Sequence, residues 1–172
     1  MLIVGERINA SRKAVGAALE TKDAELIKKE AKQQVEAGAD YIDVNCGTRV
    51  TTEPEDMEWL VKLAQEAVDA PLCIDSPNPA AAERGLKLCK KKALLNSVTA
   101  EKERLKPTIE IIKKYGCGIV GLCMSEKGMP RTADDRFEAA KTIVEEMTGA
   151  GIPLSDIYLD PVVSPVSAEP EA

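Results

Sequence analysis

The stretch PLCIDSPN (71–78) decides how the chain is read. Leu72, Cys73 and Ile74 are apolar at consecutive positions, the pattern of a strand covered on both faces. Yet the run ends in a carboxylate, Asp75, followed by Ser76. A buried charge is costly unless it is paired or bound to something. The same pattern recurs in YIDVN (41–45) with Asp43 and Asn45, in ALLNS (93–97) with Asn96 and Ser97, and in IYLDP (157–161) with Asp160. Four polar strand ends point to a site.

Working outward, six apolar runs at 2–8, 41–47, 71–76, 93–99, 118–124 and 157–163 read as strands. Five segments of helical period lie between them, at 24–38, 53–68, 78–89, 101–116 and 132–151. Leu26, Ile27, Ala31 and Val35 form the predicted buried stripe of the first, with Gly38 as its stop. Met57, Leu60, Val61 and Ala64 form that of the second, which opens on Pro54 among acids. Pro107 marks a helix start or a kink, and Thr132 a cap.

Strands alternating with helices predict a parallel α/β protein. The run GERINA after the first strand has one glycine, not the three of a dinucleotide fingerprint, which disfavours a doubly wound nucleotide fold. A (β/α)8 barrel takes about 250 residues. Six strands in 172 residues therefore predict a TIM-type (β/α)8 barrel of which the chain covers about six of the eight units. Residues 1–163 are expected to form this incomplete barrel, with 164–172 an irregular acidic tail. An open barrel leaves unpaired edges, so a fragment of a longer chain is expected.

Composition narrows the function. The net charge of −6 and the lack of a basic stripe argue against nucleic acid or an anionic membrane as partner. One Phe, three Tyr and one Trp offer no base-stacking platform. No apolar run approaches the roughly 18 residues of a membrane span, and the N-terminus lacks signal-peptide features. A cytoplasmic protein is expected. Five cysteines without a CxxC pair argue against a disulfide framework, and Cys73 and Cys123 sit in apolar strand patterns as small hydrophobes. Histidine is absent, which removes the commonest general base and metal ligand. No protein-bound metal is expected.

In barrels of this type functional groups sit at the carboxyl ends of strands. There the sequence offers Glu6, Arg7 and Asn9; Asp43 and Asn45; Asp75 and Ser76; Asn96 and Ser97; Ser125 and Glu126; and Asp160. Carboxylates and amides together suit a flat heterocycle with several N–H donors and carbonyl acceptors. Such residues also cap the helix that follows. For Asp43 and Ser76 the two readings weigh equally. Asp75 and Asn96 have hydroxyl neighbours to do the capping, and Asp160 precedes Pro161, which fixes an extended exit and has no N–H to cap; a ligand role is favoured for these three. Glu6 and Arg7 can pair with each other. Cys46, Met124 and Met129 read first as packing.

GERIN, DVN, CIDS, LLNS and YLDP, in order at successive strand ends, with MEWLV and the GLCM–KG–P segment (122–130), resemble the pterin-binding methyltransferases. The resemblance is strongest to the methyltetrahydrofolate:corrinoid protein methyltransferases, including those acting on a corrinoid/iron–sulfur protein. The folate domain of cobalamin-dependent methionine synthase and dihydropteroate synthase are more distant. The resemblance implies a barrel that holds the pterin of a folate in its mouth. It makes Asp75, Asn96 and Asp160 the pterin-binding and reaction residues; Glu6, Asn9, Asp43, Asn45, Ser97 and Met124 are the further candidate contacts. It implies methyl transfer between N5 of 5-methyltetrahydrofolate and the cobalt of a cobalamin or other corrinoid carried by a partner protein, in a protein that is usually a homodimer. The family has a further Asn near N5 after its seventh strand, and this chain ends before it. Alternatives are a non-catalytic pterin- or folate-binding module or an inactive fragment, and a dihydropteroate synthase-like enzyme. The last is disfavoured because RINASRK replaces that family's N-x-T-x-D-S-F pattern. A barrel enzyme acting on a small phosphorylated substrate is the weakest reading.

Overall fold

A computed structural model describes residues 1–163. Six strands, β1 (Val4–Asn9), β2 (Tyr41–Asn45), β3 (Leu72–Asp75), β4 (Leu94–Thr99), β5 (Gly118–Leu122) and β6 (Ile157–Asp160), follow one another in the sheet in sequence order. Pairing is parallel at β1–β2, β2–β3, β3–β4 and β5–β6. The connections carry helices α1 (Lys13–Thr21), α2 (Ala24–Glu36), α3 (Glu53–Ala67), α4 (Pro79–Leu86), α5 (Lys102–Tyr115) and α6 (Ala133–Gly149). This is the parallel α/β architecture that the alternation predicts. The tail expected at 164–172 lies outside the described residues.

The chain forms two compact units. The first is 1–96 with 115–117, and the second is 97–114 with the chain from 118 onward, so β4 contributes to both. In the first, β2 and β3 are buried nearly throughout, and Ile8, Leu19, Ile27, Ile42, Met57, Leu60 and Ile74 form the core. In the second, Leu105, Ile112, Ile119, Ile143 and Met147 do so.

Local signals set most boundaries. Pro54 and the acids Glu53, Glu55 and Asp56 open α3. The Asn78 side chain accepts from the Ala80 N–H and Pro79 follows it, which opens α4. Thr132 and Asp135 form a reciprocal capping box on α6. Gly38 turns the chain after α2 at a φ of 97°.

Three expectations change. Helix α1 has no counterpart in the sequence reading: it is nine residues long and its N-cap, Arg12, makes no side-chain cap bond. In α2 the buried positions are Ile27, Ala31 and Gln34, while Val35 is exposed. Gln34 displaces it because its Oε1 accepts from the backbone N–H of Arg7 at 2.7 Å. Of the two readings of Pro107, a helix start is excluded, because it lies inside α5.

Candidate functional site

Register brings the polar strand ends of the first unit into one row. Asn9 pairs with Asn45, Asn45 with Asp75, and Asp75 with Asn96. Residues in register on neighbouring strands face the same side of a sheet. Four parallel strands thus present amide, amide, carboxylate and amide along their carboxyl ends. Asn45 Nδ2 donates to Asp75 Oδ2 at 2.8 Å, and Asn45 Oδ1 accepts from the Gly47 N–H at 3.0 Å. Asn9 Oδ1 accepts from the N–H and the hydroxyl of Ser11. Asp75 is half-buried. Burial raises its carboxyl above the ordinary range, the Asn45 bond opposes this, and the nearby Glu53 carboxylate adds to it.

One pleat earlier, Asp43 lies opposite Cys73 on the same face. It is 1% exposed, and neither carboxylate oxygen has a hydrogen-bond partner. Burial, then the Asp75 charge, pushes it up to about 7. Glu6 adds to the rise, while the Cys73 thiol and the Asn96 amide favour the charged form without reaching bonding geometry.

Behind Asp75 lies a carboxylate that the sequence reading passed over. Glu53 is buried at the start of α3, accepting from Ser76 Oγ at 2.5 Å and from Asn78 Nδ2 at 3.1 Å. It ties the β3–α4 turn to α3. Its placement among first-turn acids was visible in the sequence, but its partners are more than twenty residues away.

Neither Asp43 nor Ser76 is a helix cap. Thr52 holds the N-cap position of α3, and Asn78 caps α4 while Ser76 Oγ accepts from the Asn78 N–H. The Glu6–Arg7 pairing is replaced: Arg7 binds Glu30 through Nε at 2.6 Å, and β1 is irregular between Gly5 and Ile8. Glu6 itself is exposed. Ser97 follows Asn96 on β4, and strand alternation turns it to the opposite face.

Two expected residues lie in the second unit. Met124 is half-buried after β5. Asp160 is exposed at the end of β6, and its Oδ1 accepts from the Val162 N–H at 2.8 Å. Pro161 therefore does not leave Asp160 without an N–H; the bond skips to the next residue, in a turn that Arg136 holds through the Pro161 and Val162 carbonyls. Met129 is 55% exposed, against its reading as packing. Cys46 is buried with its thiol pushed up to about 12 by burial and by Glu53, consistent with packing.

The sheet and its row of polar strand ends define the class: a barrel-type α/β protein with amide and carboxylate side chains in register at the carboxyl ends of its first four strands. The chain belongs to the family described as pterin binding enzyme, whose model matches residues 5–171. It is 36% identical to the methylcorrinoid:tetrahydrofolate methyltransferase of Eubacterium limosum over 98% of this chain and 63% of that protein. It is 28% identical to a methionine synthase of Mycobacterium tuberculosis over 93% of this chain and 14% of that protein. The chain thus spans less than two thirds of the length of these relatives. The dihydropteroate synthase of Vibrio fischeri superimposes with a TM-score of 0.70 at 20% identity, covering 95% of this chain and 61% of that one, a likeness of fold.

Proposed function

We propose that the protein transfers a methyl group between N5 of tetrahydrofolate and the cobalt of a corrinoid carried by a partner protein. The observation that carries this reading is the in-register row Asn9, Asn45, Asp75 and Asn96 above the unpartnered Asp43. Asp75 has the form to accept parallel hydrogen bonds from the 2-amino group and the adjacent ring N–H of a pterin. Asn96 can donate and accept at once. Glu6, Asn9 and Asn45 complete the contacts that the first unit offers, while the parts of Asp160 and Met124, in the second unit, rest on the resemblance to the pterin-binding methyltransferases alone. The name of the relative from Eubacterium limosum supports the corrinoid and folate substrates.

In the direction towards folate, the N5 lone pair attacks the methyl carbon and the carbon–cobalt electron pair stays on cobalt. N5 then gives up its proton. In reverse, the tertiary amine is a poor leaving group, so a proton or a strong hydrogen bond at N5 lowers the barrier. The nucleophile belongs to the corrinoid substrate, so the chain needs no nucleophilic side chain. A corrinoid protein as partner, a homodimer and a cytoplasmic location belong to the same reading. No helix among the described residues is long and apolar enough to cross a membrane.

Calorimetry with 5-methyltetrahydrofolate tests the site. Asp75→Ala and Asn96→Ala are each expected to weaken binding tenfold or more, about 1.4 kcal/mol. Unchanged affinity in both variants would remove the row from the site. Binding without methyl exchange with a corrinoid, followed by its absorption spectrum, would select a non-catalytic folate-binding module.

A further inference from the structure

Asp43 is the one buried side chain among the described residues whose polar atoms have no partner. Its surroundings are acidic or neutral. Glu6 approaches from β1, Cys73 and Asp75 from β3, Asn96 from β4, and none of the groups acting on it is a cation. Its own strand continues to Asn45, whose amide is spent on Asp75. Two carboxylates on adjacent strands with no cation cannot both carry charge at low cost. Asp75 is the one equipped to stay ionised, because it is half-buried and already accepts from Asn45. The proton therefore falls to Asp43.

Resting on the pterin reading above, we propose that Asp43 works as a neutral carboxylic acid. It supplies a hydrogen-bond donor to an acceptor atom of the pterin ring, beside the Asp75 carboxylate that takes the ring's N–H donors. A pterin edge carries both kinds of atom: the amino group and a ring N–H donate, while the 4-oxo oxygen and a bare ring nitrogen accept. Two carboxylates would meet only the donors. A carboxylate beside a carboxylic acid meets both, because the protonated group gains an O–H donor while keeping an acceptor. The raised affinity of Asp43 for its proton, caused by burial and then by the Asp75 charge, agrees with this assignment. Below pH 7 Asp43 keeps its proton through binding and transfer. It positions and selects the ring and moves no proton to N5.

Two measurements test the proposal. In the ligand-free protein, infrared difference spectra well below pH 7 are expected to show the carbonyl stretch of a protonated carboxylic acid. The band is expected to disappear well above pH 7 and to be missing from Asp43→Asn. In calorimetry with tetrahydrofolate, Asp43→Asn, which keeps an N–H donor and an acceptor, is expected to bind within about threefold of the wild type below pH 7. Asp43→Ala is expected to bind about tenfold weaker or worse. Wild-type affinity is expected to fall as pH rises through 7, while that of Asp43→Asn stays level. An Asp43→Asn variant as weak as Asp43→Ala would show a charged acceptor and overturn the proposal, as would a missing acid band. A wild type that shows the band but binds no tetrahydrofolate would overturn the pterin reading, and with it the ligand named here.

Discussion

At Asp43 the chain buries a carboxylate that no donor among the described residues reaches in bonding geometry. The consequence reaches stability as well as binding. Its ordinary value of 3.8 rises to about 7 in the folded protein. Between these values the native state holds more protons than the unfolded chain, so stability falls as pH rises and the full cost is present above pH 7. The shift sets an upper limit of about 4 kcal/mol. Asp43→Asn is therefore expected to be more stable than the wild type at pH 8 by about 1–3 kcal/mol, with the advantage shrinking towards pH 4, as urea denaturation at both values will measure. An equal or lower stability at pH 8 would contradict it. At Glu53 the opposite holds. Glu53→Ala leaves the Ser76 hydroxyl and the Asn78 amide without their buried acceptor, and is expected to cost about 1–3 kcal/mol. Asp75 and Asn96 stood out in the sequence because a charge or amide ends an apolar run. Glu53 did not, because acids in a helix's first turn are common and only the fold brings Ser76 to it.

Among the elements, α4 shows how closely a helix in the first unit packs. A Cβ at Gly85 would stand 3.0 Å from Met57 of α3 and 3.1 Å from Ile74 of β3. Gly85→Leu is expected to destabilise the protein by about 1–3 kcal/mol, since a filled core repacks only at a cost; an unchanged thermal midpoint would disprove the close approach. The strands were legible because a parallel sheet covered on both faces leaves uninterrupted apolar runs. The stripe of α3 was legible for the same reason, and all four of its predicted positions are fully buried. Helix α1 was not, being short, uncapped by a side chain and interrupted by Gly16. Nor was the burial of Gln34, which depends on a backbone N–H at the irregular part of β1.

Over the whole chain, strand order follows sequence order and leaves β1 and β6 as the outer strands among the described residues. On β6 and just beyond it, Tyr158, Leu159 and Val163 are exposed, unlike the buried apolar positions of β2 and β3.

By itself the sequence determined the alternation of strands and helices, the placement of Asp75, Asn96 and Asp160 at strand ends, and the likeness to pterin-binding enzymes. These are properties of consecutive residues, and apolar patterning records them directly. Tertiary structure alone decided that Asn9, Asn45, Asp75 and Asn96 stand in one register row, that Asp43 is buried without a partner, and that Glu53 braces the turn behind Asp75. Those facts depend on which strands lie side by side and which donors are left over. Groups tens of residues apart settle both, and no local pattern in the chain encodes them.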